Sequence, residues 1–509
     1  MDPPVAADEL ARFEVLKQRL GPMFRDAYAD PRAPRTVVVV PSLSLDPSEL
    51  AKVSGVEHYE ERQLSMMLWL RLPATRVIFV TSLPIDGEIV DYYLSLLSGV
   101  PSGHARRRLT LLSTYDASPR PLTEKILERP RLLQRVRDAI GDPSRAHLSC
   151  FNTTWRERRL SVALGIPLYG CDPALSDLGT KSGSREIFAE AGVPCPRGVE
   201  RLRDVADLVA ATARLRREAP SLRRVVVKLE EGFSGEGNAV LDLAHAPAGG
   251  ALEPWIGEAV RRELRPEASG TSIDAYLAQL DRMGGIVETW VDGDGKRSPS
   301  VQLRVSALGD LELVSTHDQL LGGPTGQVFL GSTFPADPAY RAALHTAGRA
   351  VGEVLRARGV LGRFAVDFVA VPRSAGASSA TAWELSAIEI NLRKGGTTLP
   401  FQMLQFLTEG RYDEARGTFV TPRGEARAYY ATDNLVSPAY RKLVPVDLVD
   451  LMVEEDLHFD EATQRGVVFH LIGAMSQYGK LGLVCIGETL EDAHLLERRT
   501  LAALDRATA

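Results

Sequence analysis

Hydrophobic and polar residues alternate along the first third of the chain in two kinds of block. Short apolar runs rich in β-branched residues predict buried strands at residues 37–40, 77–80 and 109–112. Between and before them, apolar residues at helical spacing predict helices at about residues 6–28, 60–72, 86–97 and 122–140. Because strands alternate with helices, a parallel α/β layer is predicted over about residues 35–175.

The rest of the chain is predicted to mix paired strands with longer helices. Strands are predicted at residues 224–229, 239–241, 286–291, 311–315, 362–371 and 466–472. Helices are predicted from about residue 181 to Gly192, and at residues 337–358, 445–455 and 489–503. The glycine-rich stretch at residues 318–326 is predicted to be a loop.

One predicted strand, ending at Leu392, carries an unusual set of polar residues. Its period of two places Glu389, Asn391 and Arg393 on one face, just before a glycine turn. Carboxylate and carboxamide oxygens suit Mg²⁺, and a guanidinium suits a developing negative charge. A half-exposed strand that carries these residues by chance explains the same spacing equally well.

Asp367 is a lone carboxylate in the apolar strand before it. A buried carboxylate needs a partner, and Arg363 on the same face would serve as an ion-pair partner. If the two strands form a hairpin, Asp367 and Glu389 instead come to one surface, a common arrangement for Mg²⁺. Glu384 is an alternative to Asp367 as the second carboxylate, but the strand period of two places Glu384 on the face opposite Glu389.

Two lysines and a glycine-rich segment suggest phosphate binding. Lys181 lies at the start of a helix, where a cation is disfavoured unless an anion is nearby. Lys228 ends an apolar strand directly before the glycine-rich segment 232–237, whose backbone N–H groups could approach phosphates. The alternative interpretations are that Lys181 is a solvated surface lysine and that the glycine-rich segment is an ordinary hairpin.

Arg304 and Gln319 are candidate substrate contacts. The alternative interpretations are that Arg304 lies on an ion-paired strand face and that Gln319 lies in a solvated loop.

Composition excludes several classes of protein. The 509 residues carry a net charge of −6 without a block of like charges, which argues against a broad nucleic-acid-binding face. No basic, apolar signal sequence begins the chain, and no apolar run reaches the ~18 residues of a membrane span. The four cysteines form no C-x-x-C pair. We therefore expect a cytoplasmic protein with reduced thiols and no membrane association.

The order of these motifs resembles the ATP-grasp superfamily of carboxylate–amine ligases. Lys181 precedes a helix ending in Ala-Gly-Val-Pro, Lys228 precedes the glycine flap, Glu288 opens Glu-Thr-Trp-Val, and Asp367 precedes Glu389-x-Asn391-x-Arg393. The flanking segments resemble the peptide ligases of the pheganomycin type. Those segments are Tyr59–Arg62, Ala105–Ser113, Val468–Ala474 and Tyr478–Gly482.

This resemblance implies a fold of mixed α/β and α+β class in four parts. They are an N-terminal helical segment (1–34), a parallel α/β pre-ATP-grasp domain (35–178), a two-lobed ATP-grasp domain (179–410) and a small α+β C-terminal domain (411–509). The small lobe is expected at about 179–291 and the large lobe at about 292–410.

The resemblance also implies roles for the candidate residues. ATP contacts are implied for Lys181, Lys228, Ser234, Gly235, Gly237, Glu288 and Val291, the last two through backbone groups at the adenine edge. One or two Mg²⁺ ions, for which Mn²⁺ could substitute, are implied at Asp367, Glu389 and Asn391. The implied catalytic residues are Arg393 and Lys228, and the candidate substrate contacts are Arg304, Gln319, Gly396, Thr397 and Thr398.

The implied reaction joins a carboxylate to the amine of an amino acid or peptide through an acylphosphate, with release of ADP and phosphate. The implied partners are these small molecules, and a homodimer is left open. Two alternatives are a non-catalytic ATP-binding module and a carboxylase that acts on bicarbonate. The first is disfavoured by the intact set Lys228, Glu389, Asn391 and Arg393, and the absence of a Met-Lys-Met biotin-carrier segment weakens the second.

Overall fold

Four parallel strands form the first sheet of the protein, described here from a computed structural model. The structure describes residues 7–30, 32–45, 50, 53–232, 235, 237–268, 270–323, 326–373 and 382–509. The sheet has the order β3–β2–β1–β4, which confirms the predicted parallel layer. Its strands are β1 (Arg35–Val40), β2 (Thr75–Thr81), β3 (Leu109–Ser113) and β4 (Ala146–Cys150).

Helices surround this sheet, and three of them differ from prediction. They are α1 (Ala7–Gln18), α2 (Leu20–Ala29), α3 (Gly87–Ser95), α4 (Ser102–Arg106), α5 (Leu122–Leu127), α6 (Pro130–Ile140) and α7 (Trp155–Leu164), with 3₁₀ helices at Val56–Arg71, Pro143–Arg145 and Pro173–Gly179. The helix predicted at 6–28 is divided in two, and that predicted at 60–72 is a 3₁₀ helix. The helix predicted at 122–140 breaks before Pro130, because a proline disfavours helical geometry in the preceding residue.

A second, antiparallel sheet of five strands has the order β5–β9–β6–β7–β8. Its strands are β5 (Gly198–Leu202), β6 (Arg224–Leu229), β7 (Asn238–Asp242), β8 (Arg265–Pro266) and β9 (Gly285–Thr289). The accompanying helices are α8 (Lys181–Glu190), α9 (Val205–Glu218), α10 (Leu252–Arg262) and α11 (Ile273–Met283), with a 3₁₀ helix at Gly249–Ala251. The predicted hairpin is present: β6 pairs with β7, and Lys228 lies opposite Asn238 at the turn.

The third sheet has ten strands and continues from the predicted large lobe into the predicted C-terminal domain. Its main order is β14–β13–β10–β11–β12–β17–β16–β15, and β19 pairs with both β17 and β18. Its strands are β10 (Pro299–Val305), β11 (Leu311–Gly322), β12 (Val328–Phe334), β13 (Gly362–Pro372), β14 (Trp383–Asn391), β15 (Arg411–Asp413), β16 (Thr418–Val420), β17 (Ala426–Val436), β18 (Gly466–His470) and β19 (Lys480–Gly487). The predicted boundary at residue 410 therefore does not separate two sheets.

Five helices and one short 3₁₀ helix complete this part of the chain. They are α12 (Pro338–Ala357), α13 (Thr398–Thr408), α14 (Pro445–Glu454), α15 (Gly473–Tyr478) and α16 (Leu490–Thr508), with a 3₁₀ helix at Pro438–Lys442. Of the helices that the structure describes, none combines the length and the apolar character needed to cross a bilayer.

The predicted loop at residues 318–326 is wrong in part, because β11 extends through Gly322. A Cβ atom at Gly322 would lie 2.5 Å from Leu330 Cδ1, and one at Gly323 would lie 2.7 Å from Val328 Cγ2. These glycines therefore permit close packing against β12 and do not mark a solvated loop. The correction matters because it places Gln319 on a strand.

A buried aromatic cluster joins β11, β12 and β17. His317 Nε2 lies 2.8 Å from the hydroxyl of Tyr429, and Phe334 stacks on the Tyr429 ring at 5.1 Å between centroids. Burial lowers the pKa of His317 to about 3, so the folded state holds this imidazole neutral. Unfolding returns it to the ordinary histidine pKa of about 6.5.

We expect the His317→Phe variant to lose part of the acid sensitivity of folding. Below pH 6.5 the unfolded wild-type chain binds a proton at this site that the folded chain does not, so stability rises with pH and falls with acid. The free energy of unfolding of the variant relative to wild type should therefore increase by on the order of 1 kcal/mol per pH unit from about pH 6 to 5. Urea unfolding at several pH values measures it. A difference in the free energy of unfolding that does not change with pH would contradict the prediction.

Candidate active site

A cavity of about 850 Å³ lies between the five-stranded sheet and the ten-stranded sheet. The small lobe contributes Lys228 and Glu288 to its lining, and β13 and β14 contribute Asp367, Glu389 and Asn391. The two sheets thus bring together residues that are up to 163 positions apart in the chain. We call this cavity the cleft.

The two carboxylates of the cleft face each other across an antiparallel strand pair. Asp367 on β13 is opposite Glu389 on β14, as the predicted hairpin requires. The register shifts immediately afterwards, because Phe368 is opposite Ala387 and Ile388 is an additional residue. This bulge breaks the strict period of two, so Ile388 also lines the cleft.

Asp367 is held by two amides. Its Oδ1 accepts a hydrogen bond from Gln319 Nε2 at 2.8 Å, and its Oδ2 accepts one from Asn391 Nδ2 at 3.0 Å. Arg363 does not pair with it and lies in a second cavity. Glu384 is exposed and lies opposite Val371, far along the strand from the cleft.

The neighbouring charges affect the pKa values of Asp367 and Glu389 differently. Lys181 Nζ lies 2.6 Å from Glu389 Oε1. Burial, together with the neighbouring Glu389 carboxylate, raises the pKa of Asp367 to about 7. Burial also raises the pKa of Glu389, but Lys181 and then Arg393 oppose it, and the net effect is a pKa below its usual range. Glu389 is therefore the ionised member, and Asp367 is the one that needs another cation to ionise fully.

Helix α8 places Lys181 against this pair. Thr180 caps the helix by accepting a hydrogen bond from the N–H of Gly183 at 3.0 Å. Ser184 Oγ accepts one from the N–H of Ile390, also at 3.0 Å, and so ties the helix to β14. Lys181 at a helix start is thus explained by a carboxylate partner that sequence spacing did not reveal.

Lys228 has a carboxylate partner as well. Its ammonium pairs with Glu288 Oε1, and Arg185 Nη1 lies 3.1 Å from Glu288 Oε2. All three side chains are buried. The side chain of Glu288 is therefore a counter-ion for two cations, while its backbone lies on β9 at the edge of the cleft. Val291 also lines the cleft.

The glycine hairpin reaches the opposite side of the cleft. Gly235 has a φ of +83°, and a Cβ atom there would lie 2.3 Å from the carbonyl oxygen of Gln327. A Cβ atom at Gly237 would lie 2.7 Å from Gly232 Cα. Only glycine fits this crossing of the chain. Ser234 lies outside the described residues.

The segment after β14 forms the floor next to the carboxylates. The guanidinium of Arg393 lies 5.8 Å from the centre of the Phe151 ring. A Cβ atom at Gly396 would lie 2.6 Å from the Phe329 ring, so packing requires glycine there. Thr397 Oγ1 accepts a hydrogen bond from Gln302 Nε2 at 2.7 Å. All three candidates line the cleft.

Two candidate substrate residues are not part of the cleft lining. Thr398 is buried, and its Oγ1 accepts a hydrogen bond from the N–H of Gly395 at 2.9 Å. Arg304 lines the second cavity and pairs with Glu312, as its strand-face alternative required. The alternating pattern correctly predicted the face of the sheet on which Arg304 lies. It did not predict where along the strand Arg304 lies, which places it in the second cavity.

Sequence reasoning missed the residues that other parts of the chain contribute. Arg62 Nη2 lies 3.0 Å from Asp433 Oδ2, and Lys480 Nζ donates a hydrogen bond to the Tyr59 hydroxyl at 2.7 Å. These four side chains line the cleft. The segments of Tyr59, Arg62 and Lys480 carry the resemblance to peptide ligases, but residue spacing gave these side chains no role, and no sequence signal pointed to Asp433.

The donors fit a divalent cation that also binds phosphate. Within the described ranges there is no group of three or more His, Cys, Asp or Glu side chains around one point. Asp367 and Glu389 supply two carboxylates, and Asn391 supplies a carboxamide. Mg²⁺ typically takes one or two carboxylates and completes its shell with phosphate oxygens and water.

Two family models match this chain. Residues 173–262 and 267–415 match the IQCH-like ATP-grasp family, and residues 447–500 match the PGM1 C-terminal domain. The matched ATP-grasp segments contain Lys181, Lys228, Glu389 and Arg393.

Two curated relatives are similar over most of this chain. The L-propargylglycine–L-glutamate ligase of Streptantibioticus cattleyicolor is 30% identical over 89% of this chain and 91% of its own length. The IQ motif-containing protein H of Danio rerio is 24% identical over 93% of this chain but only 48% of its own length.

Solved structures share the fold. The biotin carboxylase of Campylobacter jejuni in its β-γ-ATP complex has a TM-score of 0.55, with 12% identity over 93% of this chain and 92% of its own. The biotin carboxylase domain of the Hydrogenobacter thermophilus 2-oxoglutarate carboxylase, bound to MgADP, has a TM-score of 0.55, with 13% identity over 92% and 89%. These structures show the fold alone. The ligase relative, in agreement with the matched family model, shows that this chain belongs to the ATP-grasp superfamily of ATP-dependent carboxylate–amine ligases.

Proposed function

We propose that ATP binds in the cleft and that the enzyme joins a small carboxylate to the amine of an amino acid or peptide. The observation that carries this proposal is one cavity between two sheets, lined by Lys228, Asp367 and Glu389, with Lys181 paired to Glu389 behind the lining. Cations and oxygen donors at one point suit a polyphosphate with its metal. Phosphoryl transfer needs this positioning and charge neutralisation more than it needs a covalent nucleophile.

In this proposal each part of the cleft has a role. Asp367, Glu389 and Asn391 hold one or two Mg²⁺ ions, for which Mn²⁺ can substitute, and the metal supplies neutralisation of phosphate charge. Lys181 and Lys228 contact phosphate oxygens, and Gly235 and Gly237 let the backbone close over them. Backbone groups of Glu288 and Val291 meet the adenine edge. Ser234 keeps its predicted phosphate contact as part of the same proposal.

The chemistry proceeds in two balanced steps. An oxygen of the substrate carboxylate attacks the γ-phosphorus, and the bond to ADP breaks. The amine nitrogen then attacks the acyl carbon, the C–O bond to phosphate breaks, and the amine loses a proton. Arg393 stabilises the negative charge that develops on the acyl oxygens in both steps. Gln319 positions Asp367, and Gly396 and Thr397 border the reacting carboxylate.

The substrates are proposed by class. The relative from Streptantibioticus cattleyicolor is named for two amino acids, L-propargylglycine and L-glutamate. We therefore propose amino acids or short peptides as substrates, without nucleic acid or membrane. A homodimer stays a prediction.

A screen tests this proposal. Phosphate release from Mg-ATP is measured across pairs of amino acids and dipeptides, and products are identified by mass spectrometry. We expect ADP, phosphate and a product whose mass is that of both substrates less one water. Bicarbonate-dependent release without an amide product would favour a carboxylase, and ATP binding without turnover on any pair would favour a binding module.

A further inference from the structure

A second cavity, of about 1360 Å³, lies between α2, the parallel sheet and the ten-stranded sheet. Arg393 and Phe151 line both this cavity and the cleft, so the two spaces meet at the residue assigned to the acyl group. Sites for small ligands commonly measure about 300–1,000 Å³. The second cavity is therefore large enough for more than a single amino acid.

Two arginines lie side by side in the second cavity. Arg304 on β10 is directly opposite Arg363 on β13, and both line this cavity. Neighbouring strands lie about 4.8 Å apart, so the two positive charges come from adjacent strands of the sheet.

Two cations of this cavity have no carboxylate partner among the residues that the structure describes. The Nη1 atom of Arg363 is buried without a hydrogen-bond partner in that part of the chain, and Nη2 has only Gln405 Oε1 at 3.4 Å. Lys394 Nζ donates to two neutral oxygens, Gln63 Oε1 at 2.9 Å and Ser149 Oγ at 2.8 Å. Arg304, by contrast, is paired with Glu312.

This arrangement costs folding free energy unless an anion binds. Burial lowers the pKa of Arg363 to about 10 and that of Lys394 to about 8, and each lies near another cation. Buried charges are normally paired, because an uncompensated charge away from water is unfavourable. A carboxylate between these groups would supply the missing negative charge, and a guanidinium can bind it with two parallel hydrogen bonds.

We propose that the second cavity binds the amine substrate and that Arg363 and Lys394 bind its free carboxylate. This inference rests on the proposed ligase reaction. Both substrates of such a ligase can carry a carboxylate, and only one of them must reach ATP. Holding the carboxylate of the amine substrate at Arg363 keeps it away from Asp367, four residues along β13 and therefore about 13 Å away. The amine substrate is thus an amino acid or peptide with a free C-terminal carboxylate.

The test compares dipeptides with their C-terminal amides as amine substrates. We expect wild type to prefer the free acids and Arg363→Gln to raise their KM about 10- to 100-fold, as expected for loss of a charged hydrogen bond. The KM values of the amides, of ATP and of the carboxylate substrate should change less than about threefold. Arg358→Gln is the matched control, because Arg358 is exposed, lines neither cavity and already pairs with Glu190 at 2.5 Å.

An increase in the KM of the carboxylate substrate, or an equal loss with acids and amides, would overturn the inference. Thermal unfolding distinguishes loss of carboxylate binding in Arg363→Gln from a folding defect of the variant. It also distinguishes failure of this inference from failure of the proposed ligase function. Without ligand, Arg363→Gln should melt at the same or a higher temperature than wild type, since a buried unpaired charge is removed. Free-acid dipeptides, but not amides, should raise the melting temperature of wild type and not that of the variant, whether or not any pair is ligated. A lower melting temperature with no acid-specific shift in wild type would make Arg363 a structural residue and contradict the proposal.

Discussion

Replacement of Glu389 by glutamine is expected to reduce turnover about 10³-fold or more while ATP binding changes less than about tenfold. Glutamine keeps the size of the side chain but removes the ionised carboxylate that pairs with Lys181 at 2.6 Å. ATP retains its other contacts in this variant. We therefore expect the reduced turnover to come from the phosphoryl-transfer step, in which the charge on the phosphate is redistributed. Phosphate release and equilibrium binding of ATP measure the two effects separately.

Glu384→Gln is the matched control for this variant. It lies on the same strand, but it is exposed and outside the cleft. We expect its activity to equal that of wild type. Full activity of Glu389→Gln would remove Glu389 from the metal site and with it the assignment of the cleft.

The Arg393→Lys variant is expected to lose about 10²-fold in kcat with little change in the KM for ATP. Lysine keeps the positive charge but loses the planar pair of donors that can contact two acyl oxygens together. Because Arg393 lies where the two cavities meet, the loss should be similar for every pair of substrates. Steady-state kinetics with two pairs of substrates measures it.

Arg358→Lys serves as the control for the arginine variant, because Arg358 is exposed directly after the end of α12 and pairs with Glu190 at 2.5 Å. It should behave as wild type. An Arg393→Lys enzyme with the kcat of wild type would show that bidentate contact at this position is not used in the reaction.

Much of the fold follows from the sequence because local patterns control it. Apolar β-branched runs gave the parallel strands, and the hairpin that places Asp367 opposite Glu389 was expected from two adjacent strand patterns. The errors occur where packing overrides a local signal. Gly322 indicated a loop, but it lies in a strand because Leu330 occupies the space of its missing side chain.

The candidate site could be predicted only in part, because its groups meet through the tertiary fold. No spacing rule pairs Lys181 with Glu389, which are 208 residues apart, or Lys228 with Glu288. The alternating pattern of β10 gave the face of Arg304 correctly, yet the residue lies in the second cavity. Arg62 and Lys480 come from opposite ends of the chain, and only the assembled structure brings them to the cleft.

The most direct test of the acylphosphate reaction uses a substrate whose carboxylate carries ¹⁸O. In the proposed mechanism one carboxylate oxygen forms the bond to phosphorus and leaves with phosphate when the amine attacks. Mass spectrometry should therefore find one ¹⁸O atom in each phosphate released, in equal number to the amide product, with ADP as the nucleotide product. Amide product accompanied by unlabelled phosphate, or by labelled AMP, would contradict the account.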